Sequence, residues 1–169
     1  MKRQKFNADG SPGKKKARLT ARGDHQQEGR DFFKSLLFAP VIRLEDVRSL
    51  LAFAVTNDLD VIQMDVDSAF LQATLEEEVY MRQPEGFVYP DRPHAVYRLC
   101  KSLYGLRQAP RMWNKEIHEY LISIGFERIS ADPCVYVKEA EKGIVVIGLY
   151  VDELPSCLGV GRIARVCQI

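Results

Sequence analysis

Two stretches of this chain place carboxylates directly after apolar, strand-like runs. The first is Gln63-Met64-Asp65-Val66-Asp67-Ser68-Ala69-Phe70-Leu71, in which Asp65 follows Val61, Ile62 and Met64. The second is Leu149-Tyr150-Val151-Asp152-Glu153, where two acids end the apolar run that begins at Ile144. An acid after a buried strand is costly unless it turns to solvent or meets a cation. If the two strand ends are adjacent in one sheet, Asp65, Asp152 and Glu153 converge on one point. Such a cluster suits Mg²⁺ (or Mn²⁺), with phosphate oxygens filling the remaining octahedral positions. Two ions ~3.5–4 Å apart can activate a hydroxyl and stabilise a departing phosphate group. The plainer alternative is that each acid simply caps its strand.

The elements that must hold these residues are legible from periodicity. Val47, Leu50, Leu51, Ala54 and Val55 recur at helical spacing behind Glu45-Asp46, with Asn57-Asp58 as a stop, and acids suit the N-terminal end of a helix. A strand over 61–71 should follow, then loops and short strands over 76–98 punctuated by Pro84, Gly86, Pro90 and Pro93. Pro110 opens a second helix through Trp113, Ile117, Tyr120 and Leu121 to Gly125, with Trp113 in its core. Residues 134–138 and 144–151 read as a β-hairpin turning at 139–143. Residues 14–22 are a candidate strand and 24–40 are irregular. The mixed order implies an α+β domain with a largely antiparallel sheet and helices on one face.

The 169 residues, 46% hydrophobic, can bury one ordinary core. Net charge is +1, but residues 1–22 hold eight Lys and Arg against Asp9, which leaves the remainder acidic. A basic arm on an acidic body fits phosphate handling beside metal-binding carboxylates; the plainer reading, preferred for residues 1–13, is a disordered, solvated tail. The four cysteines (100, 134, 157 and 167) and three histidines show no metal-ligand spacing. Cysteine usage, the lack of a secretory h-region and the lack of any ~18-residue apolar run fit an intracellular setting, cytoplasm or nucleus, with no membrane partner.

The motifs are more specific than the composition. Lys16-Ala17-Arg18-Leu19-Thr20-Ala21-Arg22-Gly23, then Phe38-Ala39-Pro40-Val41, then the stretch around Asp65, come first. Residues 77–87, containing Gln83-Pro84-Glu85-Gly86-Phe87, and residues 102–113, containing Ser102-Leu103-Tyr104-Gly105-Leu106-Arg107-Gln108-Ala109-Pro110, follow, and Leu149-Tyr150-Val151-Asp152 closes the series. In this order they resemble the copia-type retrotransposon reverse transcriptases over residues 14–153.

The resemblance implies an RNA-directed DNA polymerase using Mg²⁺ (or Mn²⁺), dNTPs and an RNA or DNA primer–template. Its fold would be a partial right hand, fingers and palm with a ferredoxin-like antiparallel sheet and no thumb. Residues 1–13 would be a disordered basic arm, 14–153 the partial domain and 154–169 a divergent tail. Asp65 and Asp152 look like the family's metal-binding aspartates, with Glu153 where the family has a third. Phe70 falls at the position that rejects a 2′-hydroxyl, with plain core packing as the alternative. Arg18, with Lys16 or Arg22, matches the triphosphate grip. Gly105 and Gln108 match the turn that supports template and nucleotide.

Three departures imply a remnant of low activity. Glu153 adds a methylene to a metal ligand, and ~1 Å of misplacement can cost on the order of 10²-fold in rate. Pro155 is expected to weaken the return strand that should fix Asp152. Sixteen residues follow Glu153, too few for a thumb. A non-catalytic nucleic-acid-binding module that keeps the scaffold is the alternative.

Overall fold

The structure, a computed structural model, describes residues 2–6, 9–141, 143–151 and 155–161. The basic N-terminal stretch forms an antiparallel hairpin of β1 (Lys2–Phe6) and β2 (Pro12–Ala17). This differs from the expected disorder over 1–13, and the reason is local turn chemistry. Gly10 takes φ +79°, while the Asp9 carboxylate accepts bonds from the Ser11 N–H (2.9 Å) and Ser11 Oγ (2.6 Å). The strand expected over 14–22 begins earlier and stops at Ala17.

Helix α1 (Leu44–Thr56) starts with Glu45 and Asp46 in its first turn and ends at Asn57, whose Nδ2 donates to the Phe53 carbonyl at 2.8 Å. Strand β3 (Asp60–Asp65) follows and is shorter than the 61–71 strand expected from hydrophobicity. Ser68 adopts a left-handed backbone (φ 56°), which breaks the extended run. Ala69–Gln72 then forms the single turn α2, with Ala69 and Phe70 buried. The long hairpin β4 (Thr74–Arg82) and β5 (Val96–Lys101) stands apart as its own two-stranded sheet. Its loop is organised by Gln83, whose Nε2 donates to the Arg92 and Ala95 carbonyls and whose Oε1 accepts from Tyr89 N–H.

Helix α3 (Ala109–Ser123) begins with Pro110 in its first turn, where a missing N–H is harmless. Ala109, Met112, Trp113, Ile117 and Leu121 fall on one face of the helix and are buried. Burying each large member contributes about 1.5–3 kcal/mol, and truncating Trp113 to alanine would cost about 3–5 kcal/mol. Gly125, in left-handed conformation, ends the helix by donating to the Ile122 carbonyl at 3.0 Å.

The remaining strands are β6 (Glu127–Arg128), β7 (Val135–Ala140), β8 (Gly143–Val151) and β9 (Pro155–Gly161). With β3 they make a five-stranded antiparallel sheet in the order β3-β9-β8-β7-β6, so the domain is α+β. Pro155, expected to weaken the return strand, is the first residue of β9, where one missing donor falls at the end of the ladder. Strand β9 pairs on both sides, with β3 from Asp60↔Gly161 to Asp65↔Ser156 and with β8 from Val145↔Gly161 to Val151↔Pro155.

Residues 40–43 run over β8, where Ile42 N–H donates to the Leu149 carbonyl at 3.3 Å and the Ile42 side chain is buried. Among the described residues no helix is long and apolar enough to cross a membrane.

Candidate functional site

Asp65 is the last residue of β3 and is exposed to solvent. Its register partner on β9 is Ser156, and Ser156 is also the partner of Tyr150 on β8. Directly opposed residues of an antiparallel ladder share one face. Asp65 and Tyr150 therefore lie on the same face with one strand between them, roughly 10 Å apart at two strand spacings of about 4.8 Å. The expected adjacency of the two acid-bearing strands is thus replaced by a flanking arrangement around β9. Asp152 and Glu153 lie outside the described residues, and among those described no three His, Cys, Asp or Glu side chains gather as a metal site.

The residues matched to the triphosphate grip span the end of β2 and the segment that follows it. Lys16 is in β2 opposite Arg3, with its side chain outside the description. The Arg18 guanidinium lies 5.5 Å from the centroid of the Tyr104 ring, a cation–π distance. Arg22 is engaged in a two-pronged pair with Asp24, Nε to Oδ1 at 2.9 Å and Nη2 to Oδ2 at 2.6 Å. That pairing pulls the Asp24 carboxyl down to about 2 and pushes the Arg22 guanidinium up.

Phe70 is 7% exposed and meets Tyr104 edge to face, with ring centroids 5.1 Å apart and planes at 69°. Tyr104 is half-buried and precedes Gly105, so one aromatic ring joins Arg18, Phe70 and the 105 turn. Nothing in the sequence marks Tyr104 beyond its place in the motif, because a tyrosine between Leu103 and Gly105 carries no signal of what it will touch.

Gly105 has φ +90°, and a β-carbon there would lie 2.2 Å from the Ala21 carbonyl oxygen. The close approach that glycine permits here is to the chain's own backbone. Ala21 N–H donates to the Tyr104 carbonyl at 2.7 Å, and Arg107 Nε donates to the Gly23 carbonyl at 2.9 Å. Gln108 is fully buried; its Oε1 accepts from Gln26 Nε2 at 3.0 Å and its Nε2 donates to the Asp31 carbonyl at 3.0 Å. Both ends of this amide are thus occupied inside the protein. The role of Gln108 in the structure is to hold the 23–31 loop against the turn.

A cleft of about 1190 Å³ opens between this loop and the β4–β5 hairpin. Arg22, His25, Gln26, Arg30, Tyr80 and Arg82 are among the residues that line it. Arg18, Phe70 and Gly105 are therefore brought together through Tyr104. Gln26 and Asp31 carry no signal in the sequence, because polar residues in an irregular stretch have no periodicity to mark them.

Comparison with known proteins agrees with the motif order. Residues 2–161 match the family model described as reverse transcriptase (RNA-dependent DNA polymerase). The retrovirus-related Pol polyprotein from transposon RE2 of Arabidopsis thaliana is 44% identical over 151 residues, 89% of this chain and 10% of that protein. The Pol polyprotein from transposon TNT 1-94 of Nicotiana tabacum is 44% identical over 140 residues, 82% of this chain and 10% of its own length. The transposon Ty1-MR1 Gag-Pol polyprotein of Saccharomyces cerevisiae is 35% identical over 143 residues, 84% of this chain and 8% of its own length. The chain thus spans about a tenth of these relatives. No solved structure matches it.

Proposed function

From the premise that this chain belongs to the reverse transcriptase (RNA-dependent DNA polymerase) family, as a domain of the copia-type retrotransposon kind, we propose that it carries the nucleotide- and metal-handling part of an RNA-directed DNA polymerase. In this reading the five-stranded sheet is the palm, and the two hairpins with the 18–31 segment belong to the fingers. The substrates are dNTPs on an RNA or DNA primer–template.

The observation that carries the reading is the shared register of Asp65 and Tyr150 on Ser156. Asp152 is two residues beyond Tyr150, and consecutive Cα atoms are about 3.8 Å apart. In this reading the ions would be held by Asp65 together with Asp152 and Glu153, the two acids that follow β8 in sequence. Their all-oxygen donor set, beginning with the exposed Asp65 at a strand end, fits a hard cation such as Mg²⁺ (or Mn²⁺). When bound, such ions supply the positive charge that favours a deprotonated 3′-hydroxyl and a departing pyrophosphate.

The chain's own groups divide the remaining work. Arg18, with Lys16 or Arg22, holds the triphosphate. Arg22 must loosen its Asp24 pair to do so, and a phosphate offers it an equally good two-pronged partner. Phe70, braced edge to face against Tyr104, would be the residue that stands against the sugar and rejects a 2′-hydroxyl. Gly105 and Gln108 shape the turn beneath the nucleotide from inside the protein. Glu153 in place of an aspartate lengthens one ligand, and Mg²⁺ tolerates distorted geometry poorly, so turnover is low.

Binding of Mg²⁺·dTTP to the full chain on poly(rA)/oligo(dT), followed by extension, tests this. We expect metal-dependent nucleotide binding that Asp65→Asn abolishes, extension near background, and a rise in extension with Glu153→Asp. Nucleotide binding indifferent to Asp65→Asn would refute the site.

A further inference from the structure

The loop over residues 23–31 supplies no group to the reaction as described, yet its side chains reach into the turn that supports the nucleotide. We propose that Gln26 is a positioning residue of the nucleotide site, which holds the Arg18–Arg22 segment in register with the Tyr104–Gly105 turn. This rests on the reading of that site given above.

The argument begins with two main-chain groups. The Arg107 N–H donates to Gln26 Oε1 at 2.8 Å, and the Asp31 carbonyl accepts from Gln108 Nε2 at 3.0 Å. Between them Gln26 Nε2 donates to Gln108 Oε1 at 3.0 Å. A backbone N–H can only donate and a carbonyl can only accept, so the orientation of both amides is dictated from the two ends. Turning either amide over would set donor against donor or acceptor against acceptor. Gln108 is fully buried, so at its amide water has no access to repair such a mismatch.

The relay therefore has one arrangement, and it ties residues 26 and 31 to residues 107 and 108. Directly beside it the two backbones approach too closely for a side chain at either Gly23 or Gly105. The Ala21 N–H to Tyr104 carbonyl bond and the Arg107 Nε to Gly23 carbonyl bond lie in the same contact. Tyr104 carries the effect onward, with Arg18 over its ring and Phe70 against its edge. Releasing Gln26 lets the 18–23 backbone slide against the turn and moves Arg18 relative to Phe70. Displacements of ~1 Å in such a site can cost on the order of 10²-fold. Gln26 touches no substrate in this scheme; it acts through the backbone it holds.

The test uses the full chain with Mg²⁺·dTTP as the probe, and amide hydrogen exchange as a second readout. Gln26→Met keeps the bulk and removes both polar ends. It should raise the Kd for Mg²⁺·dTTP about 10-fold, the size expected from hydrogen bonds of this kind. Exchange at Ala21 and Arg107 should accelerate by more than it does at the amides of α3, which the relay does not touch.

If the parent binds the nucleotide and Gln26→Met binds it equally well, the positioning role is overturned and the nucleotide site stands. If the parent does not bind it, the site reading and the positioning role fall together. Should Gln26→Met not fold, Gln26→Glu decides by exchange alone. A protonated carboxyl offers the same donor and acceptor as the amide, so Ala21 protection, taken relative to the parent, should be restored at low pH and lost as the carboxyl ionises. A pH-independent ratio overturns the proposal.

Discussion

The carbonyl oxygen of Gly105 lies 2.0 Å from the place a β-carbon on Gly23 would occupy, and the Ala21 carbonyl oxygen lies 2.2 Å from the place one on Gly105 would occupy. Two motifs more than eighty positions apart are thus joined backbone to backbone, with no side chain between them.

That contact separates these glycines from the others. Gly105→Ala adds a clash to a φ of +90°, and Gly23→Ala adds a clash with backbone. Each should lower stability by more than about 2 kcal/mol. Gly86→Ala, at φ +79° with nothing within 4 Å, should cost only about 1 kcal/mol for its backbone alone. Urea denaturation of the three variants checks the order.

Gly148 on β8 is a milder case. A β-carbon there would meet Ile42 Cδ1 at 2.8 Å and Leu50 Cδ1 at 3.1 Å, both ends of flexible side chains. Gly148→Ala should cost about 1–3 kcal/mol, and Ile42→Val alone about 0.5–1.5 kcal/mol. The double variant should be more stable than the sum of the two losses, because Ile42→Val removes the atom in the way. A double-mutant cycle measures the difference.

Asp24 provides a pH signature. Its hydrogen bond from Arg22 holds the carboxyl near 2, below the ordinary value of 3.8. A depressed acid stabilises the fold above its unfolded value and loses that contribution as pH falls through the folded one. The window is therefore between about 3.8 and 2. Carboxyl-carbon NMR should show Asp24 titrating near 2 in the parent and close to 3.8 in Arg22→Ala.

The cysteines should separate by reactivity. Cys134 is buried just before β7, and burial, with Asp132 nearby, pushes its thiol up to about 12, whereas Cys100 is exposed. A thiolate is the reacting species. Brief alkylation of the native chain should label Cys100 and leave Cys134 unmodified until denaturant is added, as peptide mass mapping would show.

The sequence alone determined α1, α3 and the β7–β8 hairpin, because each is amphipathic or apolar over several turns or residues and is bounded by Pro, Gly or Asn. The order of the family motifs was equally legible, since residue identity is local information. Three things were not. Strand β9 has Pro155 at its head and glycines within it, so propensity argues against a strand that pairing on both flanks creates. The hairpin of residues 2–17 hinges on one Asp-Gly turn in a run of like charges. The amide relay from Gln26 through Gln108 to Asp31 joins groups that are neighbours only once the chain has folded. Tertiary structure decided these because hydrogen-bond satisfaction and close backbone approach depend on partners far away in the chain, which no local pattern encodes.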